Sequence, residues 1–281
     1  EDSDIEFTWL QQLLSVTSQE TGFAIYYKCP HCLPKSKLTE WFQKKSTPFI
    51  NSDFSQSPGI EILDDSNLVK YGSNRVIQRP CIDRIHNGKE VTAYLNHIID
   101  FYDTLADQTI FLHTVPHSHL HFELFYKLIA WSEQCRNESN PVDFLHLNVH
   151  YKTAPHLWTS CCGCSPWGPG SCRVATWNYL FHDYPEMGSD YLHVYTYSSA
   201  QFTVTKRTLH QWPKSFYERM LKAINGTNDL IGCCHSSTKE KWGGHSLTGQ
   251  YERMWHLIFG HTKFQQERRH DTSIPAFLRL D

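Results

Sequence analysis

Between Asn87 and His121 the chain writes a helix, a strand and a polar turn in immediate succession. Val91, Tyr94, Leu95, Ile98, Ile99 and Tyr102 recur at helical spacing, so one face of that helix must be buried. Asn87 followed three residues later by Glu90 resembles a capping box at its start, with Asn in the place of the usual Ser or Thr. Asp107-Gln-Thr-Ile-Phe-Leu-His113 then has the composition of a short buried strand. A helix and a strand so close together pack as layers, and this unit sets the expectation for the rest of the chain.

The same alternation recurs. Phe7–Val16 has helical spacing, Phe23–Tyr27 reads as a strand, and 34–57 is polar and irregular. Phe122–Trp131 is amphipathic, and Phe144–Val149, Tyr191–Tyr195 and Gln201–Val204 are strand candidates. Lys214–Ile224 and Gly249–Phe259 are helices. The pattern predicts a single α/β domain over residues 1–281, with a mostly parallel sheet flanked by helices. A Cys/Gly/Pro-rich excursion over about 159–173 interrupts it.

Ten cysteines argue for the compartment. They stand at Cys29 and Cys32, at Cys81 and Cys135, at Cys161, Cys162, Cys164 and Cys172, and at Cys233 and Cys234. An even number in close clusters fits a disulfide framework made in an oxidising lumen. The triplets at Asn137 and Asn225 are N-glycan acceptors in that setting. Secretion or Golgi residence is the expectation, and the acidic start Glu1-Asp2-Ser3-Asp4 is unlike a signal peptide. The competing use of Cys29 and Cys32 is a zinc site completed by two later thiols. A net charge of -3 without a one-signed basic face excludes nucleic acid as the expected partner. No apolar run reaches the length of a membrane span.

Three constellations carry candidate chemistry. His113, His117, His119 and His121 follow the strand that ends at Leu112, where open α/β sheets place their ligand crevice. Alternate histidines project to one side of an extended chain and offer imidazoles to a metal. The alternative is a turn at Pro116 whose histidines serve as loop and cap residues. Glu252 and His256 stand four apart on one helix face, as a metal-binding or acid–base pair or as an ordinary surface pair. Asn87-Gly88-Lys89-Glu90 opens a helix where free backbone N–H groups can meet an anion. Gly-x-Gly-x-x-Gly, Walker and Gly-x-Ser-x-Gly patterns are absent from the sequence.

Taken together, Asn87–His113, Ser199–Glu218 and Gly249–Gly260 resemble the domain of unknown function 3431 family. The resemblance runs over about 68–131 and 189–260. The helix opening before a strand that ends in Leu-His-Thr is also similar to rhamnan-synthesis-type glycosyltransferases of the GT-A class. That similarity implies a GT-A or Rossmann-like sheet, a nucleotide-sugar donor and a divalent ion, here Mn, Zn or Cu. It implies ligand-binding roles for Asn87, Gly88, Lys89, Glu90 and Gln201, with Gly88 and Lys89 near the diphosphate. Glu252 or His256 is then expected near the acceptor, Glu252 as general base, and His113–His121 at the sugar or metal. Histidines stand where those enzymes carry Asp-x-Asp. The alternatives are a non-catalytic extracellular scaffold or glycan-binding protein, and a His-ligated Zn or Cu protein.

Overall fold

The computed structural model describes residues 22–27, 60–62, 68–71, 74–80, 89–113, 119–120, 123–127, 143–152, 177, 179–185, 196–197, 200–225, 247–259, 265–272 and 274–279. Contacts group the chain into two compact units, Glu1–Ile82 and Asp83–Asp281.

In the first unit, β1 (Gly22–Tyr27), β2 (Ile60–Ile62), β3 (Leu68–Tyr71) and β4 (Asn74–Pro80) form a sheet in the order β1-β4-β3-β2. β1 runs parallel to β4, with Gly22 opposite Arg75, while β3 is antiparallel to β4 and to β2. Only Gly72 and Ser73 separate the paired residues Tyr71 and Asn74, the spacing of a two-residue hairpin. The strand expected at Phe23–Tyr27 is present. Strands β2 to β4 were not expected, because they are short and interrupted by Lys70, Arg75, Gln78 and Arg79.

The second unit is built on α1 (Lys89–Asp100), β5 (Gln108–Phe111), β6 (Phe144–His146), β7 (Tyr151–Lys152), β8 (Thr196–Tyr197) and β9 (Phe202–Thr205). They are followed by α2 (Lys206–Leu209), α3 (Lys214–Asn225) and α4 (Leu247–Ile258). β9 lies between β5 and β6 and is antiparallel to both, and β7 pairs antiparallel with β8. The described strands therefore correct the expectation of a mostly parallel sheet: β1 with β4 is the one parallel pair among them. A continuous buried run such as Phe202-Thr-Val-Thr205 has the composition of a parallel strand. Here it is buried because it is central, with neighbours on both edges, and burial carries no information about direction.

Phe202 and Val204 point to one face of β9 and Thr203 and Thr205 to the other. The apolar face holds the core. Phe202 lies 5.1–5.5 Å, ring to ring, from Phe111, Phe144, Trp255 and Phe259. On it pack Val91, Leu95 and Ile98 of α1, Phe216, Tyr217 and Met220 of α3, and Tyr251, Met254 and Ile258 of α4, all buried. Val91, Leu95 and Ile98 are among the periodic residues expected for α1, and α3 and α4 lie where helices were expected. Tyr102 lies past the end of α1 in a 3-10 turn, where its hydroxyl donates to the Trp212 carbonyl at 2.6 Å. The polar face is satisfied by hydrogen bonds: Gln108 Nε2 donates to Thr203 Oγ1 at 2.9 Å, and Thr205 Oγ1 donates to Asp143 Oδ1 at 3.0 Å.

Among the described residues no helix is long and apolar enough to cross a membrane. All ten cysteines, the 159–173 excursion, the Phe7–Val16 helix, the Tyr191–Tyr195 strand and Asn137 lie outside the described residues, while Asn225 is the last residue of α3.

Candidate functional site

The ends of β5, β6 and the approach to β9 are tied together by one side chain, Gln201. Its Oε1 accepts from the His113 backbone N–H at 3.1 Å, and its Nε2 donates to Asn148 Oδ1 at 3.4 Å. Its carbonyl accepts from Leu147 N–H at 2.9 Å and from Asn148 Nδ2 at 3.0 Å. Gln201 is fully buried, so these bonds fix where His113 leaves the sheet. Val149 N–H donates to the His119 carbonyl at 3.0 Å, and Leu120 bridges Asn148. His119 is thereby held beside the chain that follows β6.

On this frame His113 Nε2 comes 3.7 Å from Glu90 Oε1, both side chains about a fifth exposed (21% and 23%). The His113 and His119 rings meet edge to face at 5.8 Å, and His119 meets His150 at 5.9 Å. Four residues expected from the sequence, Glu90, His113, His119 and Gln201, are thus brought together. His150 joins them unexpectedly; the available signal was its place just past the strand candidate that ends at Val149. Asn87, Gly88, His117 and His121 lie outside the described residues, and Lys89 opens α1. Imidazole and carboxylate donors are the class that zinc and copper take. No three His, Cys, Asp or Glu among the described residues are gathered to hold a metal ion.

Tyr94 stands one turn after Glu90 on the same face of α1. Its ring packs on Phe111 at 4.7 Å and meets Phe202 edge-on at 6.0 Å. Burial pushes the phenol well above the ordinary tyrosine range, and the Glu90 and Glu252 carboxylates push it further. Its hydroxyl has no hydrogen-bond partner among the described residues.

His256, one turn beyond Glu252, is placed differently. It is fully buried, with Nδ1 3.2 Å from Thr196 Oγ1. The same hydroxyl lies 3.3 Å from His146 Nε2 and donates to Gln265 Oε1 at 2.9 Å. A hydroxyl has one proton. With that proton on Gln265, both imidazoles donate to Thr196, which fixes their tautomers as Nδ1–H for His256 and Nε2–H for His146. Arg268, 2% exposed, closes the network. Its Nη1 donates to the His146 carbonyl at 2.6 Å and its Nη2 to the Asn148 carbonyl at 2.5 Å, with the guanidinium 4.3 Å over the Tyr197 ring. No sequence pattern linked Arg268 or Thr196 to this place.

No curated protein and no solved structure matches the chain. The family match falls on the first of the three stretches that carried the resemblance, and the other two lie beyond it. Residues 59–153 match the model of the family described as protein of unknown function (DUF3431), and over this stretch the resemblance to that family is shown.

Proposed function

We propose that this is a sugar-handling protein of the secretory pathway, of the GT-A-like glycosyltransferase type, with its sugar site on the face formed by Glu90, His113 and Glu252. One observation carries the reading. Glu90 lies 3.7 Å from His113 with both side chains partly exposed, and α4, which carries Glu252, packs against α1. Carboxylates and imidazoles around an aromatic floor are acceptors and donors for the hydroxyls of a sugar.

In transfer, Glu252 takes the proton of the acceptor hydroxyl as its oxygen bonds to the anomeric carbon. The bond from that carbon to the diphosphate breaks, and the nucleoside diphosphate leaves with the electron pair. His113 and His119 hold the sugar, and the backbone N–H groups that open α1 are offered to the diphosphate. His256 takes no part in proton transfer in this scheme, because full burial against Thr196 keeps it from a diffusing substrate. The cysteines and glycan triplets support lumenal or extracellular residence.

Thermal shift against UDP- and GDP-sugars, followed by a transfer assay with labelled donor, tests the proposal. A donor that raises the melting temperature and turns over in the wild type, but does not turn over in Glu252→Gln, is the expected result. Failure of every donor to shift the protein sinks the transferase reading.

A further inference from the structure

Asn148 is the residue at which the buried network around Thr196 meets the partly exposed histidines. It is fully buried and lies just past the end of β6. Its carbonyl accepts from Arg268 Nη2 at 2.5 Å, which ties it to the segment after residue 265. Its side chain engages Gln201: Nδ2 donates to the Gln201 carbonyl at 3.0 Å, and Oδ1 accepts from Gln201 Nε2 at 3.4 Å. The second bond decides which way round the Gln201 amide stands. With Nε2 on Asn148, Oε1 is the end left for the His113 N–H, which donates to it at 3.1 Å. Along the backbone, Asn148 bridges Leu120, and Val149 N–H donates to the His119 carbonyl at 3.0 Å. One buried amide therefore stands between Arg268 and the two segments that carry His113 and His119, whose rings meet at 5.8 Å.

We infer that Asn148 is a positioning residue: held at its carbonyl by Arg268 and clamped at its amide to Gln201, it sets the spacing of His113 and His119. The role goes beyond the sugar-site reading, since the spacing is set before any ligand arrives. Without the Asn148 amide, Gln201 Nε2 loses the partner that orients it, and nothing then reserves Oε1 for His113. A buried amide that loses one bond seeks another, and Gln201 turns or shifts to find it. His113 leaves the sheet at a different place, and the contact with His119 opens.

Amide hydrogen exchange, read residue by residue by NMR on the full chain without ligand, tests this. The amides of Leu95 in α1 and Met220 in α3, both buried core positions, report global unfolding. In Asn148→Leu the His113 N–H should exchange about tenfold faster than any change at those two amides accounts for, the loss of one hydrogen bond. The ring contact between His113 and His119 should weaken in the same spectra. Arg268→Met should give the same pattern, and adding it to Asn148→Leu should accelerate His113 no further, because both act through one bond. If Asn148→Leu does not fold, Asn148→Ser, which also lacks the amide, is read in its place. Unchanged exchange at His113 overturns the inference. So does equal acceleration at His113, Leu95 and Met220, which assigns Asn148 to general stability. Accelerations that multiply in the double variant overturn the link to Arg268. Donor-sugar binding enters none of these readings, so the transferase proposal can fail with the positioning role intact.

Discussion

Two histidine-containing regions of the Asp83–Asp281 unit use similar side chains to opposite ends. Around Thr196, the imidazoles of His146 and His256 and the Arg268 guanidinium are buried, and their donors end on a hydroxyl and two carbonyls. Around Glu90, the imidazoles of His113, His119 and His150 are at least partly exposed and meet through ring edges and a 3.7 Å carboxylate contact. The first region joins β6, β8, α4 and the segment after residue 265. The second sits where β5 gives out. Buried polar groups gain when they are satisfied internally, whereas the Glu90 and His113 side chains keep about a fifth of their surface in solvent. The comparison separates Glu252 from His256, neighbours on one helix face that the sequence pattern pairs.

The largest expected effect is alkaline. Burial raises the phenols of Tyr94, Tyr217 and Tyr251 well above the ordinary range. Above pH ~10 the unfolded chain loses these protons while the folded chain keeps them. Stability is therefore level from neutral pH up to the unfolded tyrosine value, then falls by about 1.4 kcal/mol per pH unit for each such tyrosine. Urea titrations from pH 8 to 11 check the slope; no fall above pH 10 would mean that the phenols ionise freely.

Arg268→Met comes next, because it leaves the His146 and Asn148 carbonyls without their charged donors. A loss of roughly 3 kcal/mol is expected from hydrogen bonds to a charged group, measured by denaturant unfolding. Thr196→Val keeps the volume but removes the hydroxyl shared by two imidazoles and Gln265. It should cost about 1–3 kcal/mol. A ring-resolved NMR spectrum of His146 and His256 should show both tautomers released.

The smallest effect on stability belongs to the exposed face. Glu90→Gln should change unfolding by no more than about 0.5 kcal/mol, since a partly solvated carboxylate–imidazole contact at 3.7 Å contributes little. Its effect should fall on sugar binding instead. If Glu90→Gln cost as much stability as Thr196→Val, the two regions would be alike, and the contrast between them would fail.

Much of the helical framework was legible without coordinates. Val91, Tyr94, Leu95 and Ile98 announce α1, and the apolar residues of Lys214–Ile224 and Gly249–Phe259 announce α3 and α4, because a buried stripe has to repeat at the helical period. β5 and β9 were legible as apolar runs. The Glu90, His113 and His119 part of the site was legible too, as a carboxylate at a helix start and histidines at a strand end. His150, Thr196 and Arg268 were not, because their meaning lies in partners distant in sequence. Arg268 looks like one charge among the run Glu267-Arg-Arg-His270, yet its neighbour Arg269 is exposed.

Sequence alone determined that α1, α3 and α4 are helices, which face α1 buries, and that a cluster of histidines follows β5. Periodicity and composition are local properties, and they survive without the fold. Only the tertiary structure decided that β9 runs against β5 and β6, since strand direction depends on the path of the chain between strands. It alone sent His256 into a closed network and left Glu252, a turn earlier, only partly buried. A turn of helix separates those two residues, and burial, which belongs to the packing around them, gives them different work.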